Sequence, residues 1–411
     1  MATRVGITGI GLLTSVGNDT ASTWRAICEG QSGIGPITRF DVTQHDVRIA
    51  GELKGFDPLQ FMDRKEVRRN DPFVQFAVAA ATEAVKDAGL DIASMPDDVG
   101  VIIGSGSGGL TTLDHQFHVL YERGADRISP FFITMMVADM AAGYVSMRFG
   151  ARGPNFATVS ACATGANAIG EAFETIRRGD ARAMLAGGAE AGSTPISLAA
   201  FATMHALSRR NDDPQRASRP FDANRDGFVL GEGAGVVVLE DLDMARARGA
   251  HVYAEVLGYA ATSDAHHIVE PAPHGAGLAR ALKRALAKAH LKPEEVEYIN
   301  AHGTSTVFND RDETDAVKTV FGDHAYKLAI SSTKSMIGHM MGAAGGVEIA
   351  VTALALRDGI LPPTINYETP DPQCDLDYVP NQARRKPISV ALSNSMGFGG
   401  HNAVVILGRA D

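Results

Sequence analysis

Cysteine is scarce: Cys28, Cys162 and Cys374 are the whole complement of a 411-residue chain, odd in number and far apart. That spacing excludes a disulfide framework and a CxxC metal site, and it fits a reducing, cytoplasmic setting. Basic excess is also missing. The 38 Lys and Arg against 48 Asp and Glu leave a net charge of −10, which excludes a general nucleic-acid surface and leaves only local basic patches. No apolar run approaches bilayer length, and the first one is broken by Gly6, Gly9 and Gly11 with only Arg4 as early positive charge. Neither membrane insertion nor a signal peptide is expected. Proline is modest at 18 residues, so the 44 glycines mark tight turns and close backbone approaches rather than disorder.

The apolar share of 45% supports a sizeable core, in one large two-part unit or two to three ordinary domains. The chain is organised around Thr158 to Ala166. There an apolar strand, Phe156 to Val159, runs into a helix over 163–178 that carries Ala166, Ile169, Phe173 and Ile176 on one face and stops at Gly179. Cys162 stands at the junction. A thiol at a helix N-terminus meets unpaired N–H groups and the positive end of the dipole, which favour thiolate; the plainer alternative is a small buried hydrophobe.

Elsewhere strands alternate with helices. Asp71-Pro72 caps a helix to Ala88 ended by Gly89, and Val99 to Ile103 leads into the glycine loop 104–109, which lacks the Lys-Ser/Thr of a P-loop. Gly9-x-Gly11 begins a dinucleotide fingerprint whose third position is Thr14, so that reading fails. An amphipathic helix covers 275–290. Strands at 296–300, 328–331 and 389–392 then deliver His302, Lys334 with His339, and the Asn394 to Gly400 loop. This alternation predicts an α/β sandwich. A faint echo between the Gly231/Gly233 Val-Val-Val-Leu run and Gly399-Gly400 with Ala403-Val-Val-Ile-Leu suggests duplication, with halves at 1–250 and 251–411.

Cys162, His302, Lys334 and His339 thus all fall at strand ends or helix starts, where α/β sheets bind ligands. A buried Lys334 would need a carboxylate, with Glu313 and Asp310 as candidates. Zinc is disfavoured because Cys162, His302 and His339 offer no local ligand pair. Cys with His points instead to nucleophilic acyl transfer, and a second neutral imidazole suits stabilisation of an enolate oxygen.

Ser160-Ala161-Cys162, Asn300-Ala301-His302-Gly303-Thr304-Ser305-Thr306, Ser332-Thr333-Lys334 through Gly338-His339, and Asn394-Ser395-Met396-Gly397-Phe398-Gly399-Gly400 together resemble the β-ketoacyl-[acyl-carrier-protein] synthases, closest to type II. The likeness spans essentially the whole chain. It implies the thiolase fold, two similar halves in a five-layer αβαβα sandwich, and a homodimer that needs no cofactor and works with acyl carrier protein. It implies a decarboxylating condensation in fatty acid elongation, in which Cys162 takes the acyl chain and the N–H groups of Cys162 and Phe398 form an oxyanion hole. His302 and His339 would assist decarboxylation, and Lys334 paired with Glu313 would hold the electrostatics. Thr304 and Thr306 would bind the phosphopantetheine arm, Phe398 would gate the acyl pocket, and Ser107, Phe132 and Gly399 would line the substrate path. The carrier would dock on Arg64, Lys65, Arg68 and Arg69, with Arg127, Arg209 and Arg210 as secondary candidates. Thiolases are set aside because no second Cys lies within Asn394 to Gly400, and a chain-length-factor subunit because Cys162 is present. A ketosynthase of a type II polyketide or aryl-polyene pathway remains the competing reading.

Overall fold

The computed structural model describes residues 3–410. Its main strands are β1 (Val5–Leu13), β2 (Val99–Gly104), β3 (Asn155–Phe156), β4 (Ala183–Glu190), β5 (Gly233–Asp241), β6 (Ala254–Ser263), β7 (Tyr298–Asn300), β8 (Ala329–Ser331), β9 (Val390–Gly397) and β10 (His401–Gly408). They hydrogen-bond in the order β8-β7-β9-β10-β6-β1-β5-β4-β2-β3. Outward from the β1/β6 junction both arms repeat one pattern. β1-β5-β4-β2-β3 and β6-β10-β9-β7-β8 each pair antiparallel, antiparallel, parallel, parallel. The arms pair only where Val5 to Ile7 meet Val256 to Ala254. The two segments of the sequence echo, β5 and β10, occupy equivalent places.

Helices α1 (Pro72–Ala88) and α2 (Met140–Phe149) cover the outer face of the first arm. α3 (Thr164–Arg178) and α6 (Ala344–Asp358) lie between the arms, and α4 (Ala276–Ala289) and α5 (Val307–Phe321) cover the outer face of the second. This is the five-layer thiolase fold. The middle layer explains its own composition: α6 is buried at every position from Ala344 to Leu356 and is therefore apolar nearly all round, with Glu348 and Thr352 as exceptions. α3 and α6 approach until their backbones touch. A Cβ on Gly345 would lie 2.4 Å from Ala166 N, and one on Gly165 would lie 2.6 Å from Gly346 N. Overpacking such a contact costs about 1–3 kcal/mol. Gly9 and Gly11 serve the same end on β1, where a Cβ would fall 2.1 Å from Ala84 O and 1.8 Å from Ala80 O of α1.

Three local expectations need correction. The strand before Cys162 is only the edge pair Asn155–Phe156; from Thr158 on, the chain turns back to bond Thr164. The stretch Gly227 to Glu240, whose glycines followed by Val-Val-Val-Leu predict a strand buried on both faces, joins the sheet only from Gly233, because Gly231 and Phe228 are engaged in isolated bridges to Gly51 and Leu207. Asn394 to Met396 are the buried second half of β9 rather than a loop, since antiparallel pairing with β10 continues to Gly397 opposite His401. The helix Pro72–Ala88 forms as expected, with its Asp71 cap and left-handed Gly89.

Candidate active site

Cys162 lies in a single 3-10 turn, Ala161–Ala163, just ahead of α3. Ala161 has φ 50°, a left-handed conformation that costs a non-glycine residue about 1–2 kcal/mol. The tip of the β9–β10 hairpin closes over this turn. Gly399 (φ 83°) and Gly400 (φ 76°) make the reversal, and Gly397 packs so closely that a Cβ there would sit 2.7 Å from Ser160 O and 3.1 Å from Cys162 N. Among the described residues, neither the Cys162 nor the Phe398 N–H has a backbone carbonyl partner. Both can turn to an oxyanion.

Burial overturns the expected resting thiolate. Cys162 is pushed up to about 12 by desolvation, against the downward pull of the Lys334 ammonium and the Phe398 N–H; Glu190 and Glu348 push the same way as burial. The thiol carries its proton at neutral pH.

His302 follows β7 and His339 follows the short helix Lys334–Ile337; their rings meet edge to face, with centroids 5.3 Å apart. Burial and the Lys334 charge hold both well below the ordinary 6.5, so both are neutral. Lys334 is 1% exposed. Its Nζ donates to His302 O at 2.6 Å and to Glu348 Oε1, and stands 3.4 Å from His302 Nδ1. An ammonium can only donate, so Nδ1 accepts and the proton of His302 resides on Nε2. The partner of Lys334 is therefore Glu348 on α6, not Glu313 or Asp310. Glu313 acts elsewhere: its two oxygens accept from His302 N and Gly303 N at 2.8 Å each, and Asn394 Nδ2 donates to it at 3.2 Å. It fixes the histidine's backbone. Asp310 likewise anchors Phe221 N and Ser305 N.

Cys162, His302, His339 and Phe398 line one cavity of about 300 Å³, together with Thr304 and Thr306, whose hydroxyls lie 2.9 Å apart. Phe398 packs towards Phe201, which packs on Phe228, which in turn meets the His339 ring. Three predicted lining residues fall outside this cavity. Ser107 donates to Glu190 instead, a buried carboxylate that also binds Ser105 Oγ, Gly106 N and Gly342 N and so ties the glycine loop to the start of α6. Phe132 is half-buried on the helix Phe132–Met136, and Gly399 is exposed on the hairpin with its N–H on Ile268 O. The sequence reading missed Glu348 and Phe201. Glu348 carried a signal, the one carboxylate in the apolar interior of its helix.

Among the described residues no three His, Cys, Asp or Glu side chains converge as for a transition metal. Asn300 Oδ1, Ser393 Oγ, Asn394 Oδ1 and Glu348 Oε2 are among the buried side-chain atoms of the described residues that have no hydrogen-bond partner.

Known proteins match this architecture from end to end. The beta-ketoacyl synthase N-terminal domain model matches residues 2–245, and the C-terminal domain model matches residues 253–368. The chain belongs to the beta-ketoacyl synthase family. It is 54% identical to 3-oxoacyl-[acyl-carrier-protein] synthase 2 of Synechocystis, over 98% of this chain and 97% of that one. With the protein of that name from Staphylococcus aureus it shares 52% identity over 98% and 97%. Among solved structures, the ishigamide ketosynthase/chain length factor superposes with a TM-score of 0.94 at 35% identity, covering 100% of both chains. A type II polyketide synthase acyl-carrier protein in complex with its ketosynthase gives 0.93 at 34%, again over 100% of each.

The buried pair yields a prediction. Glu348→Ala should destabilise this ketosynthase by about 3–5 kcal/mol, because it strands the Lys334 ammonium. Lys334→Met combined with Glu348→Leu removes both charges and should recover most of that loss. Urea unfolding midpoints measure the difference; a double variant no more stable than Glu348→Ala would refute the pairing.

Proposed function

We propose that this ketosynthase condenses an enzyme-bound acyl thioester with malonyl-acyl carrier protein in fatty acid elongation, releasing carbon dioxide and 3-oxoacyl-acyl carrier protein. The observation that carries it is the cavity where two amides without backbone partners stand at Cys162 and two neutral imidazoles share the opposite wall. Cys162 Sγ attacks the acyl carbonyl, its proton passes to a neutral imidazole, and the carrier's C–S bond breaks as its thiol leaves with that proton. Malonyl thioester then enters past Thr304 and Thr306. Its bond to the carboxylate breaks, carbon dioxide departs, and the electron pair becomes an enolate held by His302 and His339. The enolate carbon attacks the acyl-Cys162 carbonyl, the Cys162 and Phe398 amides hold the tetrahedral oxyanion, and the C–S bond breaks to expel the Cys162 thiolate, which takes a proton from solvent to restore the thiol. His302 Nδ1 is engaged by Lys334, which leaves its Nε2–H to donate to the enolate, and His339 Nδ1 is buried without a hydrogen-bond partner.

The 52–54% identity to 3-oxoacyl-acyl carrier protein synthases 2, against 34% to the type II polyketide synthase structure above, favours fatty acid elongation over polyketide assembly. Cys162 separates the chain from a partner subunit without a nucleophile. A cytoplasmic location is supported by the three cysteines, all free thiols. No helix among the described residues is long and apolar enough to cross a membrane.

Two surfaces support the proposed partners. β3 is the outer edge of the sheet with Phe156 exposed, Met147 on the adjoining α2 exposes 72% of its area and Val159, three residues on in the chain, 61%. An open edge set in an apolar patch favours a second copy, continuing the sheet across a homodimer axis. Arg64, Lys65, Arg68 and Arg69 lie on one short surface helix, and Arg69 stacks 4.5 Å from the Phe131 ring beside the segment of exposed Arg127. This local basic patch suits an acidic carrier protein despite the net charge of −10. Arg209 pairs with Asp46 and Arg210 donates to Asn224 O, so both are already engaged.

Decarboxylation needs the imidazoles but not the thiol. Cys162→Gln should still release carbon dioxide from malonyl-carrier protein, at a rate flat between about pH 6 and pH 8 because neither ring protonates there. Adding His302→Ala or His339→Ala should lower that rate about 100-fold. Undiminished release in both would overturn the enolate-stabilising role. Sedimentation should give a mass of twice 43.3 kDa for the protein alone and a heavier complex with carrier protein. Lys65→Glu with Arg68→Glu should abolish the second shift and keep the first. A monomer, or undiminished carrier binding by that variant, would contradict the assignment of the respective surface.

A further inference from the structure

Ser160, just ahead of the strained Ala161, is held from the other half of the molecule. Its Oγ accepts from Asn167 Nδ2 at 2.6 Å, and Asn167 Oδ1 accepts from the Tyr259 hydroxyl at 2.9 Å. Asn167 lies in the first turn of α3, whereas Tyr259 stands on β6, the first strand of the second arm. Both ends of the relay are buried. The ring has no freedom to swing: a Cβ on Gly170 would fall 2.2 Å from it, and Lys288 Nζ covers it at 5.8 Å from the centroid. Burial, and next the neighbouring Glu171 carboxylate, keep the Tyr259 hydroxyl protonated. A hydroxyl that keeps its proton can donate to Asn167 Oδ1, which leaves the amide nitrogen to reach Ser160. The backbone of the same turn has its own anchor, Ser160 N to Thr164 Oγ1 at 2.9 Å.

We propose that Tyr259 and Asn167 are positioning residues that hold the Ser160–Cys162 turn against the Phe398 amide and thereby set the rate at which Cys162 is acylated. The inference rests on the ketosynthase reading above. None of Ser160, Asn167 and Tyr259 lines the cavity, and none hydrogen-bonds to His302, His339 or Lys334. Loosening the relay therefore shifts the nucleophile and its oxyanion-hole amide but leaves the imidazole wall where it is.

The two half-reactions separate such a role from a merely structural one. In single-turnover mass spectrometry with acyl-carrier protein, Asn167→Ala should slow acylation of Cys162 about tenfold, a modest share of what misplacement of a reacting group can cost. Asn167→Leu, close in size but able neither to accept from Tyr259 nor to donate to Ser160, should match Asn167→Ala. Tyr259→Phe, which removes one hydroxyl, should slow acylation about threefold. Combined with Cys162→Gln, each variant should release carbon dioxide from malonyl-carrier protein at the rate of Cys162→Gln alone. Wild-type acylation rates in all three variants, or an equal fall in both half-reactions, would overturn the proposal. A wild-type protein that takes no acyl group on Cys162 would instead overturn the functional reading beneath it.

Discussion

A single buried cation governs the site. Lys334 is enclosed at the start of a four-residue helix, and an ammonium in that position is tolerable only with a carboxylate and oxygens around it, which Glu348 and His302 O supply. Its field acts on every reactive group at once. Added to burial, the larger cause, it disfavours charge on both imidazoles, and against burial it favours the thiolate over the thiol at Cys162, so one side chain helps make neutral hydrogen-bond donors and a better nucleophile. Glu348 is itself pushed up to about 7 by burial, with Lys334 pulling it back and Glu313 pushing it further.

The fold brings two halves to that point. α3 begins directly after the Cys162 turn and α6 begins shortly after His339, and the two helices touch through Gly165, Gly345 and Gly346. The nucleophile therefore comes from the first arm. The histidines, the lysine and the hairpin that lays Phe398 over the thiol come from the second. Because the middle layer is close-packed backbone, small shifts in either half move the site directly.

Much of this was legible in the sequence, for identifiable reasons. The helices at 72–88, 164–178 and 276–289 announced themselves by apolar periodicity, Asp71 and the terminal glycines, signals that are local. Cys162, His302, Lys334 and His339 stood out by their places after short strands and by the family motifs that they complete. What failed was long-range. Which carboxylate meets Lys334 depends on how α6 crosses the second arm, and no spacing encodes that; Glu313, nearer in the motif, was the natural wrong choice. The Ser107 assignment failed because the glycine loop is drawn onto Glu190, 83 residues away. The expectation of a thiolate failed because a helix N-terminus is visible in sequence and complete burial is not.

The electrostatics of the site turn on whether burial and the Lys334 charge together keep both imidazoles neutral and whether Lys334 fixes the proton of His302 on Nε2. Nitrogen-15 NMR of the histidine-labelled protein, titrated with acid, reads both properties in one experiment. His302 should show the Nε2-protonated neutral tautomer, and neither His302 nor His339 should titrate at its ordinary value of 6.5. Titration of either ring near its ordinary value of 6.5, or a His302 proton on Nδ1, would contradict this role for Lys334.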